Sequence, residues 1–167
     1  MQPAGIEITI REFQPGDEAA FRRLNEAWIT LYFAMEPKDE ELLGDPRGQI
    51  LDRGGRIFFA VCRGETVGCC ALVAMGPGEF EVAKMAVRED CRGRGIGRRI
   101  LETAIEEARA AGAVKLVLET NSMMIPAIAL YESVGFRHVP RAEASPYARS
   151  NVNMEIHLTK VVSPSAR

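Results

Sequence analysis

The chain has 167 residues, of which 47% are hydrophobic and 26% charged, and its formal net charge is -2. This length and composition are typical of one globular domain, and we expect a single domain whose core runs from about residue 6 to residue 158. The acidic balance argues against duplex nucleic acid as a partner, and the absence of a long apolar run argues against a membrane span, so we expect a cytoplasmic protein.

The first third of the sequence predicts a strand followed by helices. Apolar residues alternate from Ile6 to Arg11, as in a half-buried strand. Asp17 is placed to cap a helix that reaches about Phe33, and its apolar residues follow helical spacing. Prolines and glycines then interrupt the chain, so the region from Glu36 to Arg53 is predicted to be helical but irregular.

The remaining elements predict a strand meander followed by a β-α-β unit. The turn at Gly64-Glu65 suits a tight hairpin. The predicted strands and helices are, in order, strands Ile57–Arg63, Thr66–Ala74 and Phe80–Val87, helix Gly95–Ala111, strand Val114–Leu118, helix Pro126–Val134 and strand Val152–Leu158. Ser163 to Ser165 are expected to fray. The order predicts an α+β fold with a mixed, mostly antiparallel sheet flanked by helices.

The most distinctive local feature is a run of arginines and glycines between a predicted strand and a predicted helix. The run consists of Arg92, Gly93, Arg94, Gly95, Ile96 and Gly97. Glycine lets several backbone N–H groups converge on one anion, and the following helix adds its unbonded N–H groups and positive dipole end. Neighbouring arginines, including Arg98, reinforce the attraction. The segment therefore predicts a site for a pyrophosphate.

Other interpretations of this loop compete with that one. It could be a flexible surface turn with solvated arginines. A dinucleotide fold would need a third glycine where Arg98 stands, although Glu119 does supply an acid at the end of the next strand. A nucleoside-triphosphate loop is excluded because no Gly-Lys-Ser/Thr follows at the required distance.

Two motifs in this region resemble those of the GNAT acetyltransferases. Arg92 to Gly97 is similar to their R-x-x-G-x-G pyrophosphate loop, and the preceding Glu81 to Val87 resembles their fourth strand. Downstream, Ala127 to Phe136 resembles the A-I-x-L-Y-x-x-x-G-F signature of the same superfamily. The resemblance implies the acyl-coenzyme A N-acyltransferase fold, acetyl-coenzyme A as cosubstrate and no metal.

The resemblance also implies roles for particular residues. Backbone groups of the fourth strand would contact the thioester and pantetheine arm, here at Met85, Ala86 and Val87. The phenol of Tyr131 would protonate the departing thiolate, and Glu81 would accept the amine proton through a water molecule. The family often carries Asn where Met124 stands, so we expect Asn121 to replace it as a coenzyme contact.

Candidates for the acceptor site are less specific. Glu36, Asp39 and Glu79 could bind a cationic amine, and Arg149 beside Tyr147 could bind an acceptor carboxylate. The acceptor is expected to be a small-molecule primary amine, and a homodimer is the default assembly.

The remaining cysteines and histidines suggest no chemistry of their own. The four cysteines contain no C-x-x-C pair and are expected to be reduced and mostly packed, with Cys91 incidental to the loop. His138 and His157 have no nucleophilic partner in a recognisable motif and are expected to be structural.

Three hypotheses for the function follow. The first is direct acetyl transfer in a ternary complex, without an acetylated enzyme. The second is a non-catalytic acyl-coenzyme A sensor, and the third an NAD(P)-dependent oxidoreductase.

Overall fold

The computed structural model describes residues 5–158 and contains one seven-stranded sheet. The strands are β1 (Ile8–Glu12), β2 (Arg56–Cys62), β3 (Glu65–Gly76), β4 (Glu79–Val87), β5 (Lys115–Thr120), β6 (Arg137–Val139) and β7 (Val152–His157). Their order across the sheet is β1-β2-β3-β4-β5-β7-β6. Only the β4–β5 pair is parallel, which confirms the predicted α+β fold with a mixed, mostly antiparallel sheet.

Within the described residues, five α-helices and two single-turn 3₁₀ helices connect the strands. The α-helices are α1 (Glu18–Tyr32), α2 (Pro37–Gly44), α3 (Pro46–Gln49), α4 (Ile96–Ala110) and α5 (Ile125–Ser133), and the 3₁₀ turns are Leu51–Arg53 and Glu89–Cys91. Within residues 5–158, no helix combines the length and apolar character that crossing a bilayer requires.

The two faces of the sheet bury separate apolar clusters. Phe58 and Phe59 are adjacent on β2 and therefore point to opposite faces. Phe58 belongs to the cluster under α4, where Ile100 and Leu101 are fully buried, and Phe59 belongs to the cluster under α1 and α2, which contains Phe21. Two clusters form because helices cover both faces of the sheet, and each helix buries an apolar stripe against the face that it covers.

Two local predictions need correction. The hairpin turn is Arg63-Gly64, because Cys62 pairs with Glu65 and both turn residues have positive φ, +50° and +79°, as in a type I′ turn. Asp17 is the N-cap residue of α1, as predicted, but its carboxylate accepts from Arg11 and from the Gln14 N–H, each at 2.7 Å, and makes no capping bond to the helix.

The sequence did not predict strand β6. This strand has only three residues and lies at the exposed edge of the sheet, so it shows no alternating apolar pattern. The predicted fraying of Ser163 to Ser165 falls outside the described residues.

The parallel strands β4 and β5 separate soon after they meet. They pair only where Glu79–Glu81 lie beside Lys115–Val117. Beyond that point β4 continues to Val87 and β5 to Thr120 with no further pairing between them. A cleft therefore opens in the middle of the sheet.

Candidate active site

A cavity of about 550 Å³ lies where β4 and β5 diverge. Most residues predicted to bind the coenzyme or to act in catalysis line it, namely Glu81, Met85, Ala86, Val87, Arg92, Gly93, Gly95, Ile96, Gly97, Arg98, Asn121 and Tyr131. Of the predicted set only Arg94 is not part of the lining; its side chain is exposed. The fold thus brings distant parts of the sequence to one site.

The loop before α4 presents backbone donors to one end of the cavity. Gly93 and Gly95 have φ values of +78° and +75°, in the left-handed region that favours glycine. Gly95 is the N-cap of α4 and offers no side chain to the first turn, where the first α-helical bond is from Arg99 N–H to Gly95 O at 3.1 Å. The preceding N–H groups of the helix are therefore available to an anion.

Helix α4 packs closely on β4 next to this anion site. A Cβ on Gly97 would come within 3.2 Å of the Met85 side chain, so a glycine here lets α4 approach β4. Arg98, by contrast, is exposed and donates to the Ser133 hydroxyl at 2.5 Å. The third glycine of a dinucleotide loop is thus replaced by an exposed arginine that also lines the cavity near the helix end.

A bulge bends β4 along the cavity wall. Ala83 pairs with Ala71 and Ala86 pairs with Cys69, which leaves one extra residue on β4 between the two pairs. Lys84 lies in this bulge with a φ of +52°, a conformation that costs a residue other than glycine roughly 1–2 kcal/mol. Since β4 has already lost its pairing with β5 here, its free edge faces the cavity.

Tyr131 on α5 is 9% exposed and lines the same cavity. Its ring meets the edge of Phe136 with centroids 5.9 Å apart. Burial, with the Cys70 thiol nearby, raises the pKa of Tyr131 above the ordinary value of a phenol. The side chain is therefore a neutral proton donor at physiological pH.

Glu81 has a pKa suited to proton transfer. Burial raises this pKa to about 7, and the negative charge of Glu119 acts in the same direction, against the opposing charges of Lys84 and Lys38. Two carboxylates that face one cavity disfavour each other's ionisation. Glu81 can therefore both accept and release a proton near neutral pH.

A buried ionic network forms another wall of the cavity. Asp39 is fully buried, and its carboxylate accepts from Lys84 Nζ at 2.5 Å and from two Arg149 nitrogens, each at 2.7 Å. Burial alone would raise the pKa of Asp39, but the bonds from Arg149 and Lys84 lower it to about 2. The network joins α2, the bulge of β4 and the loop before β7.

Neighbouring groups complete this network. Glu36 accepts from Arg149 at 3.1 Å and from the Ala148 N–H at 2.7 Å. Tyr147 places its ring 4.8 Å from Lys84 Nζ and 4.6 Å from the Arg149 guanidinium carbon. The suggestion that Asp39 would bind a cationic amine is therefore wrong, because its oxygens are already bonded. Arg149 lines the cavity and bonds Asp39 and Glu36 through three of its five N–H groups, so its role toward an acceptor carboxylate stays a prediction.

Two other predicted candidates have different positions. Glu79 is not in the cavity lining, and it lies 3.7 Å from Lys115 in an ion pair at the start of the parallel pairing. Asn121 lines the cavity, but its side chain donates to Arg149 O at 2.7 Å and accepts from the Met123 N–H at 2.8 Å. The Asn121 amide therefore shapes the turn after β5.

Of the cysteines and histidines in residues 5–158, only Cys91 lines the cavity. All four cysteines are free and three of them are buried, among them Cys91. His138 and His157 are exposed and pair with nearby glutamates.

Sequence reasoning missed Lys84 and Trp28, both of which line the cavity. The signal for Lys84 was a single lysine in an otherwise largely apolar stretch, Val82 to Val87, since a buried lysine needs an anion. Trp28 gave no such signal, because an aromatic residue at helical spacing equally suits the core.

Comparisons with known proteins agree on one family. The acetyltransferase (GNAT) family pattern matches residues 18–136. An "IAA acetyltransferase" of Azospirillum brasilense is 44% identical over 94 residues, 54% of this chain and 60% of that protein. The match thus spans less than two thirds of that relative.

Solved structures share the fold across nearly the whole chain. An acetyltransferase of the GNAT family from Staphylococcus aureus has a TM-score of 0.84 at 19% identity and covers 92% of this chain and 100% of that one. A Bacillus subtilis acetyltransferase in complex with CoA has a TM-score of 0.70 at 21% identity, with 92% and 100% covered.

Proposed function

Because this chain belongs to the GNAT acetyltransferase family, we propose that it transfers an acetyl group from acetyl-coenzyme A to a primary amine of a small molecule. The observation that carries the proposal is that one cavity contains the anion site at α4, the buried phenol of Tyr131 and the carboxyl group of Glu81, whose pKa is about 7. Amine-dependent release of free thiol from acetyl-coenzyme A tests it.

The residues of the cavity fit the coenzyme. The first turn of α4 and the Gly93 and Gly95 backbone would hold the pyrophosphate, with Arg92 and Arg98 adding positive charge. The free edge of β4 from Met85 to Val87 would hold the pantetheine arm by backbone hydrogen bonds. The bound coenzyme supplies an activated acetyl group on sulfur.

The proton transfers are assigned to two side chains. Glu81 accepts the proton of the attacking amine, directly or through one water molecule, because a protonated amine has no lone pair to attack with. Tyr131 donates its proton toward the sulfur as the carbon–sulfur bond breaks, which neutralises the thiolate. The acetyl group passes directly from sulfur to nitrogen, so a Cys91 thioester that turns over would contradict this mechanism.

The Glu81 assignment predicts a pH dependence. At saturating amine, kcat should fall as the pH drops through about 7, because protonation of Glu81 removes the base. Glu81→Gln should abolish this limb and lower kcat about 100-fold. Stopped assays from pH 5.5 to 9 measure the profile. A Glu81→Gln enzyme that keeps both the limb and the rate would exclude Glu81 as the base.

The anion site predicts the effect of a charge in the loop. Gly95→Asp should weaken coenzyme A binding at least about tenfold, because a carboxylate would face the pyrophosphate in a partly buried site. Calorimetry measures the affinity. Gly54→Asp is the matched control, since Gly54 also has a positive φ, +90°, with open space at its Cβ but lies outside the cavity. Equal affinities for the two variants would place the coenzyme elsewhere.

A further inference from the structure

The cavity has an aromatic wall that the proposed transfer chemistry does not use. It is contributed by the last turn of α1 and the residue after it, namely Trp28, Tyr32 and Phe33. Tyr32 is 47% exposed, which is high for a large ring that lines a cavity. An apolar group of a bound molecule would cover this surface and remove it from water.

The cations near this wall are already bonded to carboxylates. Arg149 lies 5.8 Å from the centre of the Trp28 ring, but it is bonded to both Asp39 oxygens and to Glu36. Lys84 is bonded to Asp39 and packs on Tyr147. A carboxylate on the acceptor would compete with these buried pairs, and any anion that it displaced would lose its partner.

Away from the anion site, where Arg92 and Arg98 lie, the unpaired charged groups of the cavity lining are carboxyl groups. Among the ion pairs of residues 5–158, none includes Glu81 or Glu119. The hydrogen bonds to Glu119 come from the Ser145 and Ser150 hydroxyls, at 3.1 Å and 3.4 Å, which carry no charge. An anionic acceptor would therefore meet two unpaired carboxyl groups, whereas an amine without a carboxylate would meet complementary ones.

These three features point to one class of acceptor. We propose that the acceptor is an amine with an aromatic substituent and no carboxylate beside the amino group. The aromatic group packs on Trp28, Tyr32 and Phe33, and the amino group lies toward Glu81 and Glu119. This inference rests on the proposed acetyltransferase function and narrows it to arylalkylamines rather than amino acids.

Four compounds separate the contributions of ring and charge. Phenethylamine and propylamine differ in the aromatic ring, whereas phenylalaninamide and phenylalanine have the same size and differ in the carboxylate. We expect kcat/KM, expressed per concentration of unprotonated amine, to be at least about tenfold higher for phenethylamine than for propylamine, and higher for phenylalaninamide than for phenylalanine by a similar factor. Equal values within either pair would overturn the inference.

Variants locate the ring preference on the wall. Tyr32→Ala should reduce the ratio of phenethylamine to propylamine to about threefold or less, because it removes one face of the wall. Leu31→Ala is the matched control, since Leu31 is 58% exposed on the same helix and lies outside the cavity lining. A Tyr32→Ala ratio equal to that of Leu31→Ala would also overturn the inference.

The experiment distinguishes this inference from the proposed function. If no amine releases thiol, the proposed function fails, and calorimetric binding of the four compounds to the protein with coenzyme A then decides the inference. The same order of affinities would support the aromatic acceptor site, and equal affinities would reject it. If amino acids are acetylated best, the proposed function holds and this inference fails.

Discussion

Replacing Asp39 with asparagine is expected to lower the free energy of unfolding by about 3–5 kcal/mol, the usual cost of removing one partner of a buried ion pair. Asp39 is fully buried and bonds two cations, Lys84 and Arg149. Asparagine has the shape of aspartate but no charge. The positive charges of Lys84 and Arg149 would therefore remain buried with too little negative charge beside them. Denaturant unfolding measures the loss at pH 7, where Asp39 with a pKa of about 2 is fully ionised.

Two further variants test this explanation. Lys84→Met should cost less than Asp39→Asn, because Asp39 would keep the paired bonds from Arg149. Glu41→Gln is the surface control on the same helix; it breaks a 3.1 Å pair with Lys38 at a 42% exposed side chain and should cost at most about 1 kcal/mol. Equal losses for Asp39→Asn and Glu41→Gln would show that the network does not stabilise the fold.

The second large effect is expected from Tyr131→Phe. If the phenol protonates the departing thiolate, its removal should lower kcat about 100-fold or more, which is the ordinary contribution of a general acid. The ring, its contact with Phe136 and the volume of the side chain are retained. Steady-state kinetics with a saturating amine measure the change.

Coenzyme binding and stability serve as controls for Tyr131→Phe. The affinity for coenzyme A and the midpoint of thermal unfolding should both stay close to those of the wild type, because no group that holds the pyrophosphate is altered. A variant with wild-type kcat would remove Tyr131 from the mechanism. A variant that loses coenzyme affinity in proportion to its rate would assign Tyr131 to binding.

Local pattern was enough to predict most of the fold. Helix α4 follows the spacing of Ile100, Leu101 and Ala104, and it begins and ends within one residue of the prediction. Hairpin and turn residues located the antiparallel strands. The sequence did not predict the three-residue edge strand β6. It also placed the turn between β2 and β3 one residue too late, because the hydrogen-bond register of the two strands, not the position of the glycine, determines where the turn lies.

The site was predictable only where its residues form contiguous motifs. The loop from Arg92 to Gly97 and the segment around Tyr131 could be recognised in this way. The network of Asp39, Lys84 and Arg149 could not, because its members are 45 to 110 residues apart in sequence and meet only through the tertiary fold. Charges that look solvated in a sequence can therefore be the most buried ones in the structure.

Acetyl transfer is tested most directly by the release of free thiol from acetyl-coenzyme A by the purified protein with and without phenethylamine. We expect release that depends on the amine, with one N-acetylated amine formed for each thiol, and a rate that Tyr131→Phe lowers about 100-fold. Thermal stabilisation by coenzyme A without acetylation of any amine would contradict catalysis, and stabilisation by NAD in place of coenzyme A would contradict the coenzyme site as well.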